Sequence, residues 1–310
     1  MRRLRARGPR SRSETAWDLP VAVGRITLRN PVIASSGTYG YGLEYRRYGD
    51  PRQLGAVVVK SLTVDPRPGF APPRVTLLEE PGSMLNAVGV PNPGVRSWAE
   101  TILPAMRELG VPVVASVWGV DAESVVAAAE ILARYRGPIA WEVNLSCPNS
   151  EHGGAPVSHD PLAAAEVCRA IRALAPEEVG VWAKLSPDAP DVTRVGSACH
   201  RAGADAVTVT NTFPAAALVS AERPSPLGGG AGGMSGAILR HHVRPLIEKF
   251  GSSYPDIPVL ACGGVLSSDL AIDYLDLGAR AVQVGTASLY DPRACHKIAR
   301  GVVRKLKARR

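Results

Sequence analysis

The 310-residue chain is expected to fold as a single-domain (β/α)8 TIM barrel, an α/β fold with long loops at the C-terminal face of its strands. Three observations predict it. Eight apolar runs of strand length recur along the chain. Amphipathic stretches of helical period lie between most of them, and that alternation demands a parallel sheet. Three long insertions, residues 61–96, 147–160 and 212–235, each follow the carboxyl end of a strand, where barrel enzymes build their sites. An open doubly wound sheet is the nearest alternative, but the early Gly-x-Gly-x-x-Gly turn is missing and two strands would be left over.

The strand runs fall at residues 32–35, 56–60, 113–117, 139–146, 180–186, 206–211, 258–263 and 281–285, and helical patterns at 97–109, 122–135, 161–174, 192–202, 237–250, 268–277 and 292–307. Residues 66–73 and 228–233 are rich in Pro or Gly, yet each stretch is too short to divide domains. Residues 1–17 read as a basic, disordered tail and 18–310 as the barrel.

A hydrophobic content of 45% supplies an ample core for a chain of 32.6 kDa. No apolar run reaches the length of a membrane span, so a soluble protein is expected. The net charge of +8 is concentrated at the ends, from Arg2 to Arg12 and from Arg304 to Arg310. Such tails could meet nucleic acid or anionic lipid, but without interleaved aromatics they read as solvated, and neither partner is expected. The Arg- and Ser-rich start superficially resembles an organellar transit peptide; the apolar stretch of a secretory signal is missing, and the expected location is cytoplasmic. The five cysteines, Cys147, Cys168, Cys199, Cys262 and Cys295, are scattered without Cys-x-x-Cys spacing, which argues against zinc, an iron–sulfur cluster or a disulfide framework in this chain.

Several strand ends carry chemistry. The second ends in Val59-Lys60-Ser61 and the fifth in Ala183-Lys184-Leu185, placing two ammonium groups at the barrel mouth. One such lysine is usually a surface charge; two at corresponding ends are better explained by an anionic ligand. The seventh and eighth end in Gly263-Gly264 and Gly285-Thr286, and residues 232–236 form a third glycine-rich turn ending at Gly236. Glycines commonly just make turns, but in register at this place in a barrel they favour a phosphate site. Four carboxamides, Asn86, Asn144, Asn149 and Asn211, suit a planar ring with alternating carbonyl and N–H groups, although singly each reads as a turn residue. Cys147 lies between Asn144 and Asn149 where an apolar strand breaks into a turn, a placement fit for reaction, whereas the other four cysteines read as small buried hydrophobes. His152 is assigned no role beyond loop structure.

Asn144-Leu145-Ser146-Cys147-Pro148-Asn149, followed by Glu151-His152-Gly153-Gly154, resembles the active-site loop of class 1 dihydroorotate dehydrogenases, and the resemblance extends over roughly residues 30–300. It is closest to the NAD-linked subclass through residues 35–42, Lys60-Ser61-Leu62-Thr63, Asn211-Thr212 and residues 232–236. The resemblance implies FMN held by Ser36, Gly37, Lys60, Ser61, Ser116, Asn144, Lys184, Gly236, Gly263, Gly264, Gly285 and Thr286. It implies a substrate read by Lys60, by the loop Asn86, Ala87, Val88, Gly89 and Val90, and by Asn144, Asn149, Asn211 and Thr212. Cys147 would take the C5 proton of dihydroorotate while flavin takes the C6 hydride, and Lys184 would steady the reduced flavin. The same resemblance implies a separate FAD and [2Fe-2S] electron-transfer subunit, and assembly as a homodimer or heterotetramer.

The chain also departs from the pattern. Ser116-Val117-Trp118-Gly119 stands where many relatives have Asn-Val-Ala-Gly, and residues 213–230 are atypical for the subclass. A related dihydropyrimidine in a specialised pathway, or a non-catalytic flavin scaffold subunit, therefore remain as alternatives. Binding of orotate but not uracil separates the first from dihydroorotate oxidation; a scaffold has no need of the base Cys147.

Overall fold

The computed structural model describes residues 15–146, 156–215, 227–228 and 232–309. Eight parallel strands, Val32–Ala34, Ala56–Val58, Val113–Val117, Ala140–Asn144, Gly180–Lys184, Ala206–Val209, Val259–Cys262 and Ala281–Val284, close into a barrel in chain order. The eighth returns to the first with Gln283 opposite Ile33. All eight expected runs are strands. Most are trimmed at the carboxyl end, where their polar residues turn into loops.

The strands are Val-rich because both faces are buried. One set, including Val57, Ala115, Val143, Val181 and Val207, packs outward under the helices, and the alternate set, including Ile33, Val58, Val114, Trp182 and Leu260, packs within the barrel. Helix starts are marked by side-chain caps. Asp121, Asp160, Asp191 and Ser267 each accept from a backbone N–H in the first turn of Ala122–Leu132, Pro161–Leu174, Val192–Arg201 and Ser268–Asp276. Each such cap stabilises its helix by about 1 kcal/mol.

Some helices differ from expectation. The one expected over 97–109 divides into Val95–Thr101 and Leu103–Glu108, because Pro104 has no N–H to bond back to the preceding turn. The 237–250 helix opens as a 3-10 turn, Ala237–Leu239, and continues as Arg240–Ser253. The last is preceded by a separate short helix, Ala287–Tyr290, and runs Ala294–Lys307. Among the described residues no helix is long and apolar enough to cross a membrane.

Two additions to the barrel position the site. A hairpin, Val21–Val23 with Ile26–Leu28, plugs the amino-terminal end by packing Val23, Ile26 and Leu28 against the lower interior residues. At the other end two of the three insertions meet in one antiparallel sheet, ordered Phe213–Pro214, Gly233–Gly236, Ser83–Asn86, Val75–Leu77. This roof pairs Gly233 with Asn86 and Gly236 with Ser83. Only glycine serves at 236: its φ is +96°, and a Cβ there would lie 2.0 Å from the Gly82 carbonyl oxygen.

Candidate active site

Inside the barrel the inward positions change character with height. Ile33, Val58, Val114, Ala140, Trp182, Ala206, Leu260 and Ala281 form an apolar lower interior. Two residues further along the same strands stand Ser35, Lys60, Ser116, Glu142, Lys184, Thr208, Cys262 and Gln283. A polar upper interior of this kind is costly unless it is paired or meets a ligand.

Between it and the roof lies a cavity of about 600 Å³, within the range of cofactor and substrate pockets. Lys60, Ser61, Ser36 and Gly37 line one part, the loop from Asn86 to Val90 another, and Asn144, Lys184, Asn211 and Thr212 a third. Gly236, Gly263, Gly264, Gly285 and Thr286 complete the wall. The structure thus brings together every described residue expected from the sequence except one. Ser116 does not reach the cavity: its fully buried hydroxyl lies 2.9 Å behind that of Ser61, so it supports the wall without forming it. A side chain as short as serine cannot extend past Ser61. Cys147, Asn149 and His152 lie outside the described residues.

The two lysines differ. No carboxylate among the described residues pairs with Lys60; burial, and then the Arg74 guanidinium, push its pKa down to about 8. An ammonium in that state is ready for an incoming anion. Lys184 is more deeply buried, which works to discharge it, but the Glu142 carboxylate 3.7 Å away, aided by Cys262, holds its pKa above the ordinary lysine value.

The carboxamides are held in defined orientations. Oδ1 of Asn144 accepts from the Ser146 backbone N–H and from Asn211 Nδ2, each at 3.2 Å, while its Nδ2 donates to Ser61 Oγ at 3.3 Å. Asn211 Oδ1 accepts from the Thr212 backbone N–H at 2.9 Å. With both oxygens occupied from within the protein, the pair offers its remaining N–H groups to a ligand's oxygens. Asn86 instead serves the roof, donating through Nδ2 to the Gly233 carbonyl at 2.8 Å. Beyond it the backbone is left-handed at Gly89 (φ +73°) and at Val90 (φ +50°). A β-branched residue there is an outlier, and strain of that kind persists where the surroundings impose it.

The glycine turns also have packing reasons. A Cβ at Gly264 would meet Arg240 Cβ at 2.9 Å, and one at Gly263 would meet Val243 Cγ2 at the same distance. Helix Arg240–Ser253 can approach the end of the seventh strand only because these side chains are absent.

Several wall residues were not anticipated. Ser35, Arg67 and Cys262 line the cavity, and Glu142, Thr208 and Gln283 lie below it. The signal was present in Trp141-Glu142-Val143 and Val282-Gln283-Val284, where a polar residue interrupts an otherwise apolar buried strand. Trp118, noted as a bulky departure, forms part of the wall; its indole N–H donates to the Ser146 carbonyl at 3.3 Å and the Arg67 guanidinium lies 5.2 Å from its ring.

The family profile described as dihydroorotate dehydrogenase matches residues 18–306. The chain is 38% identical over 285 residues to the "dihydroorotate dehydrogenase B (NAD(+)), catalytic subunit" of Geotalea daltonii, covering 92% of each chain. It is 40% identical over 281 residues to the protein of that name from Desulforudis audaxviator, covering 90% of this chain and 89% of that one. The Geobacter sulfurreducens protein of the same name is 37% identical over 289 residues, 93% of each.

Proposed function

Because the chain belongs to the dihydroorotate dehydrogenase family, we propose that it oxidises dihydroorotate to orotate in pyrimidine biosynthesis, using FMN and the base Cys147. The observation that carries the reading is the convergence in one cavity of two lysines, two mutually oriented carboxamides and three glycine-containing turns.

The residues present fit a flavin phosphate. The turns at Gly264, Gly285 and Thr286 leave backbone at the wall for it, the cavity is large enough for a ring system with a substrate beside it, and among the described residues no carboxylate pairs with Lys60, which leaves its charge for the substrate. FMN, when bound, supplies the hydride acceptor. Ser36, Gly37, Lys60, Ser61, Asn144, Gly236, Gly263, Gly264, Gly285 and Thr286 would hold it, with Lys184 beneath and Ser116 bracing Ser61. Lys60 and the Ala87–Val90 backbone would receive the substrate carboxylate, and the donors of Asn144 and Asn211, with Asn86, Asn149 and Thr212, its ring oxygens. Cys147 would then remove the C5 proton, a task suited to a thiolate in a lysine field near neutral pH.

The words "catalytic subunit" and "NAD(+)" in the relatives' names support a second subunit that takes the electrons onward. We assign it FAD and a [2Fe-2S] cluster. The test is direct. The purified protein should be yellow, release FMN rather than FAD, and bleach anaerobically on addition of dihydroorotate. A colourless protein that takes up no FMN, or bleaching by dihydrouracil but not dihydroorotate, defeats the proposal.

A further inference from the structure

Below the cavity floor the barrel holds a polar cluster that the proposed reaction does not use directly. Glu142, Thr208 and Gln283 are fully buried, and none of the three lines the cavity. Glu142 Oε2 accepts from Thr208 Oγ1 at 3.0 Å and from Gln283 Nε2 at 2.6 Å. Gln283 Oε1 in turn accepts from Ser35 Oγ at 3.2 Å. The other carboxylate oxygen, Oε1, has no hydrogen-bond donor among the described residues and faces Lys184 Nζ at 3.7 Å. Lys184 also donates to Ser35 Oγ at 3.5 Å and reaches the cavity wall. One carboxylate oxygen is thus clamped by two strands so that the other faces the ammonium of a third.

Stability does not account for this arrangement. A buried ion pair roughly balances its desolvation cost, and uncharged residues of similar shape commonly do as well or better. What a carboxylate does and an amide does not is to keep a buried lysine charged whatever occupies the cavity. Lys60, which has no such partner among the described residues, shows the contrast.

We propose that Glu142 is a positioning residue, which from beneath the cavity holds Lys184 as a fixed cation directed at the ring of the bound flavin. The inference rests on the reading of the cavity as a flavin site. Lys184 then needs no proton when the flavin gains negative charge on reduction. Among the described residues the titratable groups facing its ammonium are Glu142 on the fourth strand and Cys262 on the seventh. The first, sixth and eighth strands face this cluster with the neutral Ser35, Thr208 and Gln283.

The test is Glu142→Gln, an isostere without the charge. Burial then leaves Lys184 neutral beside oxidised flavin, and it takes a proton from solvent when two electrons arrive. Relative to the parent, the midpoint potential of bound FMN should fall more steeply from pH 6 to 9, by up to one further proton per two electrons. Adding Lys184→Gln to that variant should return the slope to the parental one. A second readout needs no flavin. In the ligand-free Glu142→Gln protein the unfolded chain binds a proton at Lys184 that the folded chain does not, so its stability to urea should rise from pH 7 to 10 relative to the parent, and the added Lys184→Gln should abolish that rise. Should Glu142→Gln not fold, Glu142→Asp, which lengthens the ion pair, should show both changes at smaller size. Parental slopes and parallel stability curves in the folded variant overturn the proposal. Failure of every protein to bind FMN defeats the flavin reading instead, while the ligand-free curves still decide whether Glu142 sets the charge of Lys184.

Discussion

Replacing Lys60 by methionine should move stability and ligand affinity in opposite directions. Lys60 stands half-buried in the cavity wall with its pKa lowered from 10.5 to about 8, by burial first and by Arg74 second. At about 1.4 kcal/mol per tenfold change in acidity, carrying that charge without a partner costs about 3 kcal/mol. Residual solvent contact brings the share visible in folding to ~1–3 kcal/mol. Methionine keeps the stem and removes the charge, so the ligand-free variant should be more stable than the parent by that amount at pH 7. The sign with pH follows from the depressed value. Between pH 8 and 10.5 the unfolded parent binds a proton that the folded parent has lost, so the parent gains stability as pH rises and the gap to the variant closes. Orotate affinity should fall, because a charge-assisted contact contributes about 1.5–3 kcal/mol, or roughly 10- to 150-fold. Urea melts of the ligand-free proteins at pH 7 and 10, with orotate titrations of the FMN-loaded proteins followed by flavin absorbance, measure both effects. A variant less stable than the parent at pH 7, a gap that does not narrow by pH 10, or unchanged orotate affinity would refute the assignment of Lys60 as an unpaired cation awaiting an anion.

Three other outcomes are expected. Cys147→Ser should retain FMN but reduce it with dihydroorotate on the order of 10²–10⁴ more slowly at neutral pH, recovering in part as pH rises; a rate within a few-fold of the parent in anaerobic stopped flow at pH 7 removes the thiol from the mechanism. Fumarate should be a poor electron acceptor for the isolated chain, and rapid fumarate-dependent turnover would replace the NAD-linked assignment. Gly236→Ala should lose at least about 2 kcal/mol of stability, because its φ of +96° and the Gly82 oxygen 2.0 Å from the added Cβ force the roof strands apart; a parental melting profile would show that the roof accommodates the methyl group.

What was legible in the sequence is what local pattern encodes. The runs holding Ala56–Val58 and Val113–Val117 are strands whose two faces are both buried, and such a strand must be apolar along nearly its whole length. Lys60 and Lys184 could be placed at the mouth because each ends such a run, and Asn144 because it opens a turn directly after one. The loops after the second and sixth strands were long enough to read as cover.

Tertiary structure alone decided how those parts meet. Nothing in residues 75–77, 83–86 and 233–236 reveals that they pair into one roof, since strand pairing across about 150 residues depends on closure of the barrel between them. The split at Ile102, the hairpin plug of Val21–Leu28 and the place of Ser116 behind Ser61 likewise follow from packing. The two lysines make the point in chemical terms. Their local sequences look alike, and they differ because the sixth and eighth strands clamp Glu142 beside Lys184 while none of the described strands carries a carboxylate to Lys60. A residue's charge in a barrel is set by neighbours that the chain brings to it from far along its length, and periodicity does not record them.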